Sequence, residues 1–291
     1  MTAKAKKWVH HPKFGVGLVT DEYDEKYSIS FVSFGDKILL KTAVVDGAPP
    51  TPNFTFKSSP SRRPSRFKVQ KARRKPVPTF DHLVDVFKGY YPGGFDGEKF
   101  QRLERDYKFR AVNFVRSELS ERKFRKLLRN SDHKGICKLA FKAVNFTNLI
   151  YQQEKIKLRD CLKAVEDQEK FSQQLFNVLY GSAEFSLRFE SWCALLAELG
   201  DCYKWTIATY FSFLESQGDR MFFKPAPTKC IADSLGFALN YKTEPNWFTY
   251  SKLMELAKSV EQELRRRGLV PKSGIDIQGF IWASVKIESG V

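Results

Sequence analysis

The chain has 291 residues, of which 42% are hydrophobic and 26 are phenylalanine, and its formal net charge is +16. This length exceeds the usual size of one domain and supplies ample core material, so one small and one larger domain are expected. The charge predicts a nucleic acid or another acidic partner. Because no apolar run reaches the roughly 18 residues of a membrane span, we expect a soluble, cytoplasmic protein without a membrane partner.

The first segment alternates short apolar and polar runs punctuated by glycine, which favours strands over helices. At Gly15 and Gly17 we expect positive φ and a close backbone approach, as a sharply bent strand requires. A hairpin turn is predicted at Gly35 and Asp36. The predicted strands cover residues 7–10, 15–21, 27–33 and 37–42.

Two motifs in this segment carry a family resemblance. They are Trp8-Val9-His10-His11-Pro12-Lys13-Phe14-Gly15-Val16-Gly17 and Phe34-Gly35-Asp36-Lys37. Over residues 7–47 the pattern resembles the Tudor-like tail module of UvrD/PcrA-type bacterial helicases. More distantly it is similar to the RNA-polymerase-interacting module of CarD-like transcription factors.

The resemblance implies that residues 1–47 form a small all-β SH3-like or Tudor-like barrel of five strands. Such a barrel docks onto protein or nucleic acid and performs no chemistry. RNA polymerase or a DNA-repair complex is the kind of protein partner that it implies. We expect the contacts to come from exposed residues of the barrel, such as Lys13, Tyr23 and Lys37. Since the chain lacks a GxxxxGK[ST] phosphate loop, the sequence does not support an ATP-driven motor.

Residues 48–78 are predicted to form a basic, proline-rich linker. With Gly47 they hold seven of the 13 prolines and no aspartate or glutamate, a composition poorly suited to a helix or a central strand. We interpret the segment as an extended arm that binds nucleic-acid phosphates; the alternative is a linker that its charge keeps solvated. The candidate nucleic-acid-binding residues are Lys57, Arg62, Arg63, Arg66, Lys68, Lys71, Arg73, Arg74 and Lys75.

From Thr79 the pattern becomes helical, and residues 79–291 are predicted to form a mainly α-helical domain, with room for a sub-boundary near 218–228. Apolar side chains cover much of the segments 183–199 and 203–216, which predicts a buried helical hairpin. The first predicted helix begins at Thr79 or Asp81 and ends before Pro92, and a later one is capped by Thr228 and runs to residue 235. The other predicted helices cover residues 96–119, 121–130, 131–146, 147–164, 167–180, 183–199, 203–216 and 249–267.

The helix predicted over 121–130, with Ser120 as its cap, is strongly basic. Arg122, Lys126 and Arg129 form the candidate cluster for phosphate contact. With the following helix this segment invites comparison with a helix-turn-helix that reads a DNA groove, while the alternative is an ordinary solvated face.

The C-terminal segment carries a second resemblance. The string of Lys224-Pro225, Leu235-Gly236-Phe237, Pro245-Asn246-Trp247 and Ile275 to Trp282 is similar to the ending of a recurrent, uncharacterised bacterial protein module. This implies a bacterial origin and a single folded unit, and it implies no activity.

The sequence contains no GxSxG, HExxH, GxGxxG or kinase signature. Asp106 with Glu121-Arg122-Lys123 matches the letters of a nuclease site, but these residues fall on predicted helices rather than on the adjacent strands which that site requires. The four histidines are too scattered for a zinc site, and the five cysteines are expected to be reduced core thiols. No metal and no cofactor is therefore expected.

Three functional hypotheses follow from these patterns. The favoured one is a non-enzymatic accessory protein that binds DNA or RNA and docks on a bacterial transcription or DNA-repair machine. The second is a nucleic-acid-processing enzyme without a recognisable linear motif. The third is a protein-binding scaffold.

Overall fold

A computed structural model describes residues 7–12, 14–31, 35–47 and 76–290 of the chain. The chain divides between residues 74 and 75 into two units, and the described residues form a separate hydrophobic core in each. The division falls within the segment predicted as a linker.

The N-terminal unit is a five-stranded antiparallel sheet that curls into a half-barrel. Its strands are β1 (Trp8–His11), β2 (Gly15–Glu22), β3 (Lys26–Phe31), β4 (Gly35–Leu40) and β5 (Val45–Asp46). Their order in the sheet is β4-β3-β2-β1-β5. Tyr27, Ile29 and Phe31 alternate along β3 and bury their side chains with Val9, because successive residues of a strand point to opposite faces.

The two glycines of β2 meet different requirements. Gly15 has a φ of 73°, in the left-handed region that disfavours other residues. A Cβ atom at Gly17 would lie 2.4 Å from Cγ2 of Ile29 and 2.7 Å from the ring of Phe31. Gly15 therefore permits the backbone conformation, whereas Gly17 permits the close packing of β3 on β2.

The predicted turn at Gly35 and Asp36 is wrong. Both residues lie within β4, where Gly35 pairs with Phe31 and Asp36 pairs with Ser30. The antiparallel pairing of β3 with β4 extends to these two residues, so the backbone is extended there and does not turn.

The C-terminal unit is mainly helical, as the sequence predicts. In chain order the helices are α1 (Phe80–Tyr90), α2 (Glu98–Phe100), α3 (Asp106–Glu118), α4 (Glu121–Arg129), α5 (His133–Asn145), α6 (Gln152–Cys161), α7 (Val165–Tyr180), α8 (Phe185–Glu198), α9 (Trp205–Glu215), α10 (Pro225–Ser234), α11 (Trp247–Arg266) and α12 (Gly274–Glu288). None of the helices in the described part of the chain has the length and hydropathy needed to cross a membrane.

Side-chain caps set several helix boundaries. Thr79 accepts a hydrogen bond from the backbone N–H of His82 at the start of α1. Asn246 accepts one from Thr249 at 2.9 Å, so α11 begins at Trp247 rather than at the predicted residue 249. Ser120 occupies the N-cap position of α4, but its hydroxyl donates to the carbonyl of Ser117 instead of capping the helix.

Other predicted boundaries differ for identifiable reasons. α10 begins at Pro225, three residues before the predicted cap Thr228, because proline is favoured in the first turn of a helix. α6 begins only at Gln152, since residues 147–151 form a loop whose carbonyl oxygens accept hydrogen bonds from two lysine side chains. The stretch predicted as one helix over 96–119 contains a π-helical turn, Gln101–Arg105, between α2 and α3.

The core of the helical unit surrounds α9. All ten residues from Trp205 to Leu214 are buried, and α9 packs against α3, α7 and α8. The predicted hairpin of two buried helices is therefore correct for α9 only: α8 is amphipathic and leaves Leu187 63% exposed. Buried residues on both sides of residues 218–228 belong to the same core.

Candidate functional site

The basic helix α4 is anchored by one aromatic side chain. Phe124 is fully buried, and its ring centroid lies 5.4 Å from that of Phe176 on α7. The helix packs against α5 and α7. Its remaining residues, apart from the half-buried Leu127 and Leu128, are exposed.

Two of the five cations of α4 are paired. Lys123 donates to Glu118 at 3.0 Å. Arg125 donates through Nε and Nη2 to the same oxygen of Glu121, at 2.9 and 2.7 Å, and its guanidinium lies 4.8 Å from the ring centroid of Phe176. These two side chains are committed to intramolecular contacts.

The other three cations of α4 are those predicted from the sequence to contact phosphates. Arg122, Lys126 and Arg129 are exposed, and none of them forms an ion pair with a residue that the structure describes. Their spacing of four and three residues places them on one face, over about 10 Å of helix axis at 1.5 Å per residue. This α4 stripe (Arg122, Lys126 and Arg129) is long enough for about three phosphates of one nucleic-acid strand, which rise about 3.4 Å each.

α4 and α5 are joined by a short turn, residues 130–132. Ser131 adopts a φ of 54°, and Asp132 caps α5 by accepting a hydrogen bond from the N–H of Gly135 at 2.9 Å. Two helices joined by a short turn have the connectivity of a helix-turn-helix. Recognition of a DNA groove by this segment stays a prediction.

The remaining predicted contact residues are not part of a common described site. In the N-terminal unit Tyr23 is 55% exposed, while the ammonium of Lys37 lies 5.3 Å from the ring centroid of Phe14. Lys13 lies outside the described residues. So do all nine candidates of the arm, Lys57, Arg62, Arg63, Arg66, Lys68, Lys71, Arg73, Arg74 and Lys75.

The residues that match the letters of a nuclease site lie in the helical unit. Asp106 begins α3 and Glu121 begins α4, so both lie on helices. Within the described ranges, no three histidine, cysteine, aspartate or glutamate side chains come together as a metal-binding group. Burial raises the pKa of Cys137 to about 11, and it also raises the pKa of Cys193 and of Cys202.

A second cluster, of buried charged groups, was not predicted from the sequence. Lys108 is completely buried, and its ammonium donates to the carboxylate of Glu104, one turn earlier, at 3.2 Å. Burial lowers the pKa of Lys108, against the opposing charge of Glu104. Burial also raises the pKa of Tyr91, and the charge of Glu104 raises it further. Glu104 belongs to the π-helical turn, a feature frequent at functional sites.

Another buried lysine lies close to this cluster. Lys224 is 6% exposed, and its ammonium sits between two aromatic rings, 4.2 Å from the centroid of Tyr151 and 4.1 Å from that of Trp282. Its hydrogen-bond acceptor is the carbonyl of Leu149, at 3.4 Å. Burial lowers the pKa of Lys224 to about 8.

An open cavity of about 460 Å³ is lined by Glu104 of the first cluster and by Trp282, the indole that Lys224 contacts from behind the lining. We call it the Trp282 cavity. Four elements that are distant in sequence build it: the end of α1, the π-helical turn, the loop before α6, and α12. The side chains that bear on its chemistry are Tyr90, Tyr91, Glu104, Asn148, Trp282 and Lys286.

The sequence contained a weak signal for this region. Lys108 lies at helical spacing from Val112 and Val115, which are buried, so it interrupts an apolar face. Lys224 directly follows the buried Phe222 and Phe223. A lysine within an apolar stripe is rarely buried without a reason, and that argument would have selected both residues.

Comparison with protein-family models, with curated proteins and with solved structures found no significant match to this chain.

Proposed function

We propose that this protein is a non-enzymatic nucleic-acid-binding protein whose helical unit contacts the phosphate backbone through the α4 stripe. The observation that carries the proposal is the selective pairing of cations on α4. Lys123 and Arg125 are neutralised by nearby glutamates, whereas the three cations of the stripe remain exposed and unpaired among the described residues. An unpaired row of cations at this spacing favours a polyanionic ligand.

Two features of the sequence support the same function. The acid-free segment 48–78 adds nine cations, which would increase the number of phosphates neutralised. The resemblance of residues 7–47 to Tudor-like modules suggests a second docking surface, for RNA polymerase or a DNA-repair complex, with Tyr23 and Lys37 among its contacts. We place this function in the bacterial cytoplasm, in keeping with the two resemblances.

Salt-dependent binding tests the proposal. Fluorescence anisotropy with labelled duplex DNA, single-stranded DNA and RNA, between about 50 and 200 mM salt, measures how steeply affinity falls. The triple variant Arg122→Ala/Lys126→Ala/Arg129→Ala should weaken binding and reduce the slope of log K against log salt by about 3, or about 1 for each contact.

A matched variant controls for net charge. Lys204, Lys242 and Lys258 are also exposed and unpaired among the described residues, so replacing all three by alanine removes the same charge elsewhere. Equal losses in both triple variants would contradict a specific role for the α4 stripe. Deleting residues 57–75 tests the arm separately, and metal-dependent cleavage of DNA or RNA would contradict the non-enzymatic assignment.

A further inference from the structure

Lys224 is a buried cation without a counter-ion. No carboxylate of a described residue lies within ion-pair distance of it, and its one hydrogen bond to a described residue is the long one that it donates to the carbonyl oxygen of Leu149 at 3.4 Å. Burying an ammonium without a carboxylate is costly, because desolvation removes its water and only the faces of the Tyr151 and Trp282 rings offset part of that loss. With a pKa of about 8, it still carries its charge at neutral pH.

A second unpaired ammonium lies one helical turn beyond Trp282. Lys286 is exposed, lines the Trp282 cavity, and places its Nζ 5.5 Å from the centroid of the same indole ring. It has no ion pair with a described residue. Lys224 and Lys286 therefore set a positive potential around one aromatic ring at the cavity, which favours an anionic ligand.

The walls of the cavity favour a planar group. Trp282 is half-buried and Tyr90 is 40% exposed, so both can present aromatic surface. The Tyr90 ring is also contacted by the ammonium of Lys99, 3.4 Å from its centroid. Aromatic side chains of this kind stack on nucleobases.

Two polar groups at the cavity suit the edge of a base. Asn148 is exposed and offers both a donor and an acceptor, while the carboxylate of Glu104 has acceptor sites beyond those that Lys108 and Tyr91 use. A volume of about 460 Å³ lies within the range of about 300–1,000 Å³ that is typical of small-molecule sites.

We propose that the Trp282 cavity binds a nucleoside monophosphate unit, with its base against Trp282 and Tyr90 and its phosphate in the field of Lys224 and Lys286. The unit has two sources, a free nucleotide or the terminal nucleotide of a strand. Only the second source rests on the proposed nucleic-acid function; the cavity itself is independent of the α4 stripe.

Titration calorimetry on the full chain tests the proposal. The probes are AMP, GMP, CMP and UMP, with adenosine and inorganic phosphate as half-ligands, and a short single-stranded oligonucleotide with and without its 5′-phosphate. At least one mononucleotide should bind more tightly than either half-ligand. The variants Lys224→Met and Trp282→Ala should each weaken that binding by at least tenfold, and the α4 triple variant should leave it unchanged.

A control separates ligand binding from a structural role. Lys155 is also a buried lysine, 8% exposed, and it donates to the carbonyl of Thr147 in the same loop at 2.8 Å. Lys155→Met should lower the unfolding temperature and leave nucleotide affinity within about twofold. Lys224→Met removes a buried charge together with its contacts to two aromatic rings but retains an apolar stem, so it should lower the unfolding temperature no more than Lys155→Met does.

Several results would overturn the proposal. They are the absence of mononucleotide binding at millimolar concentration, inorganic phosphate binding as tightly as any nucleotide, and a Lys224→Met variant that loses stability but keeps its nucleotide affinity. The experiment with the oligonucleotide identifies the source of the nucleotide. If the cavity binds the terminal nucleotide of a strand, removing the 5′-phosphate and replacing Lys224 should each weaken binding of the oligonucleotide. If neither change weakens it, the ligand is the free nucleotide.

Discussion

The guanidinium of Arg105 and the carboxylate of Asp276 form a two-bond ion pair across 171 residues of sequence. Nε donates to Oδ1 at 2.9 Å and Nη2 donates to Oδ2 at 2.7 Å. Asp276 is fully buried and accepts a third hydrogen bond, from the backbone N–H of Lys272. The pair joins the π-helical turn, which carries Glu104, to α12, which carries Trp282, and so it holds two walls of the Trp282 cavity together.

Breaking this ion pair on one side should be costly. Asp276→Asn leaves the guanidinium of Arg105 without its charge partner in a nearly dry site, and we expect a loss of about 3 kcal/mol in the free energy of unfolding. The double variant Arg105→Met/Asp276→Leu should recover much of that loss, since neither charge then remains buried. Urea unfolding measures both changes.

An exposed pair provides the comparison for that experiment. Glu261 and Arg265 are paired at 2.8 Å with both side chains more than a third exposed, so Glu261→Gln should change stability by less than about 1 kcal/mol. A loss for Asp276→Asn no larger than that for Glu261→Gln would contradict a structural role for the buried pair.

A methyl group at Gly17 should destabilise the N-terminal sheet. In Gly17→Ala the new Cβ would meet Ile29 and Phe31 well inside van der Waals contact, and overpacking of this kind costs about 1–3 kcal/mol. Hydrogen exchange should show faster exchange across β2 and β3, with the helical unit unchanged. In Gly89→Ala, by contrast, the space around the added Cβ is open and the helix interior favours alanine, so this variant should be neutral or slightly stabilising.

The stability of the helical unit should respond to pH through Lys224. Because burial lowers its pKa from 10.5 to about 8, the unfolded chain binds the proton more tightly between these values, and the free energy of unfolding should rise as pH increases through that interval. The charges of Glu154, Lys286, Lys108 and Glu104 also act on this ammonium. Urea unfolding at about pH 7 and about pH 9.5 should show a smaller rise in Lys224→Met than in the wild type. An identical rise in both proteins would contradict the assignment.

Removing the acidic partners of the α4 cations should strengthen nucleic-acid binding. Glu118→Gln/Glu121→Gln releases Lys123 and Arg125 and removes two negative charges beside the α4 stripe. At about 50 mM salt the affinity should rise several-fold, and the salt slope should steepen, because more phosphates are neutralised. Glu255→Gln/Glu261→Gln removes two charges from α11 and serves as the matched control. An increase of the same size in that control would mean that net charge alone governs binding.

The sequence predicted the class of each unit and most of the helices. Strand β3 and the start of α1 could be predicted because their signals are local. One is the alternation of Tyr27, Ile29 and Phe31, and the other is the capping residue Thr79. The turn predicted at Gly35 and Asp36 is absent, because pairing of these residues with β3, and not their turn propensity, decides their conformation. The sequence predicted that α8 and α9 are both buried, and only α9 is. An apolar helix surface does not reveal which of two helices lies at the centre of the core.

The sequence by itself determined where the positive charge lies along the chain, and which segments form strands and helices. Charge and periodicity are properties of neighbouring residues. Only the tertiary structure decided which cations are neutralised and which remain unpaired. It pairs Arg125 with Glu121, whereas Arg122 forms no ion pair with a described residue. It also buries Lys224 between Tyr151 and Trp282. Burial and ion pairing depend on which distant segments the fold brings together, as Arg105 and Asp276 show.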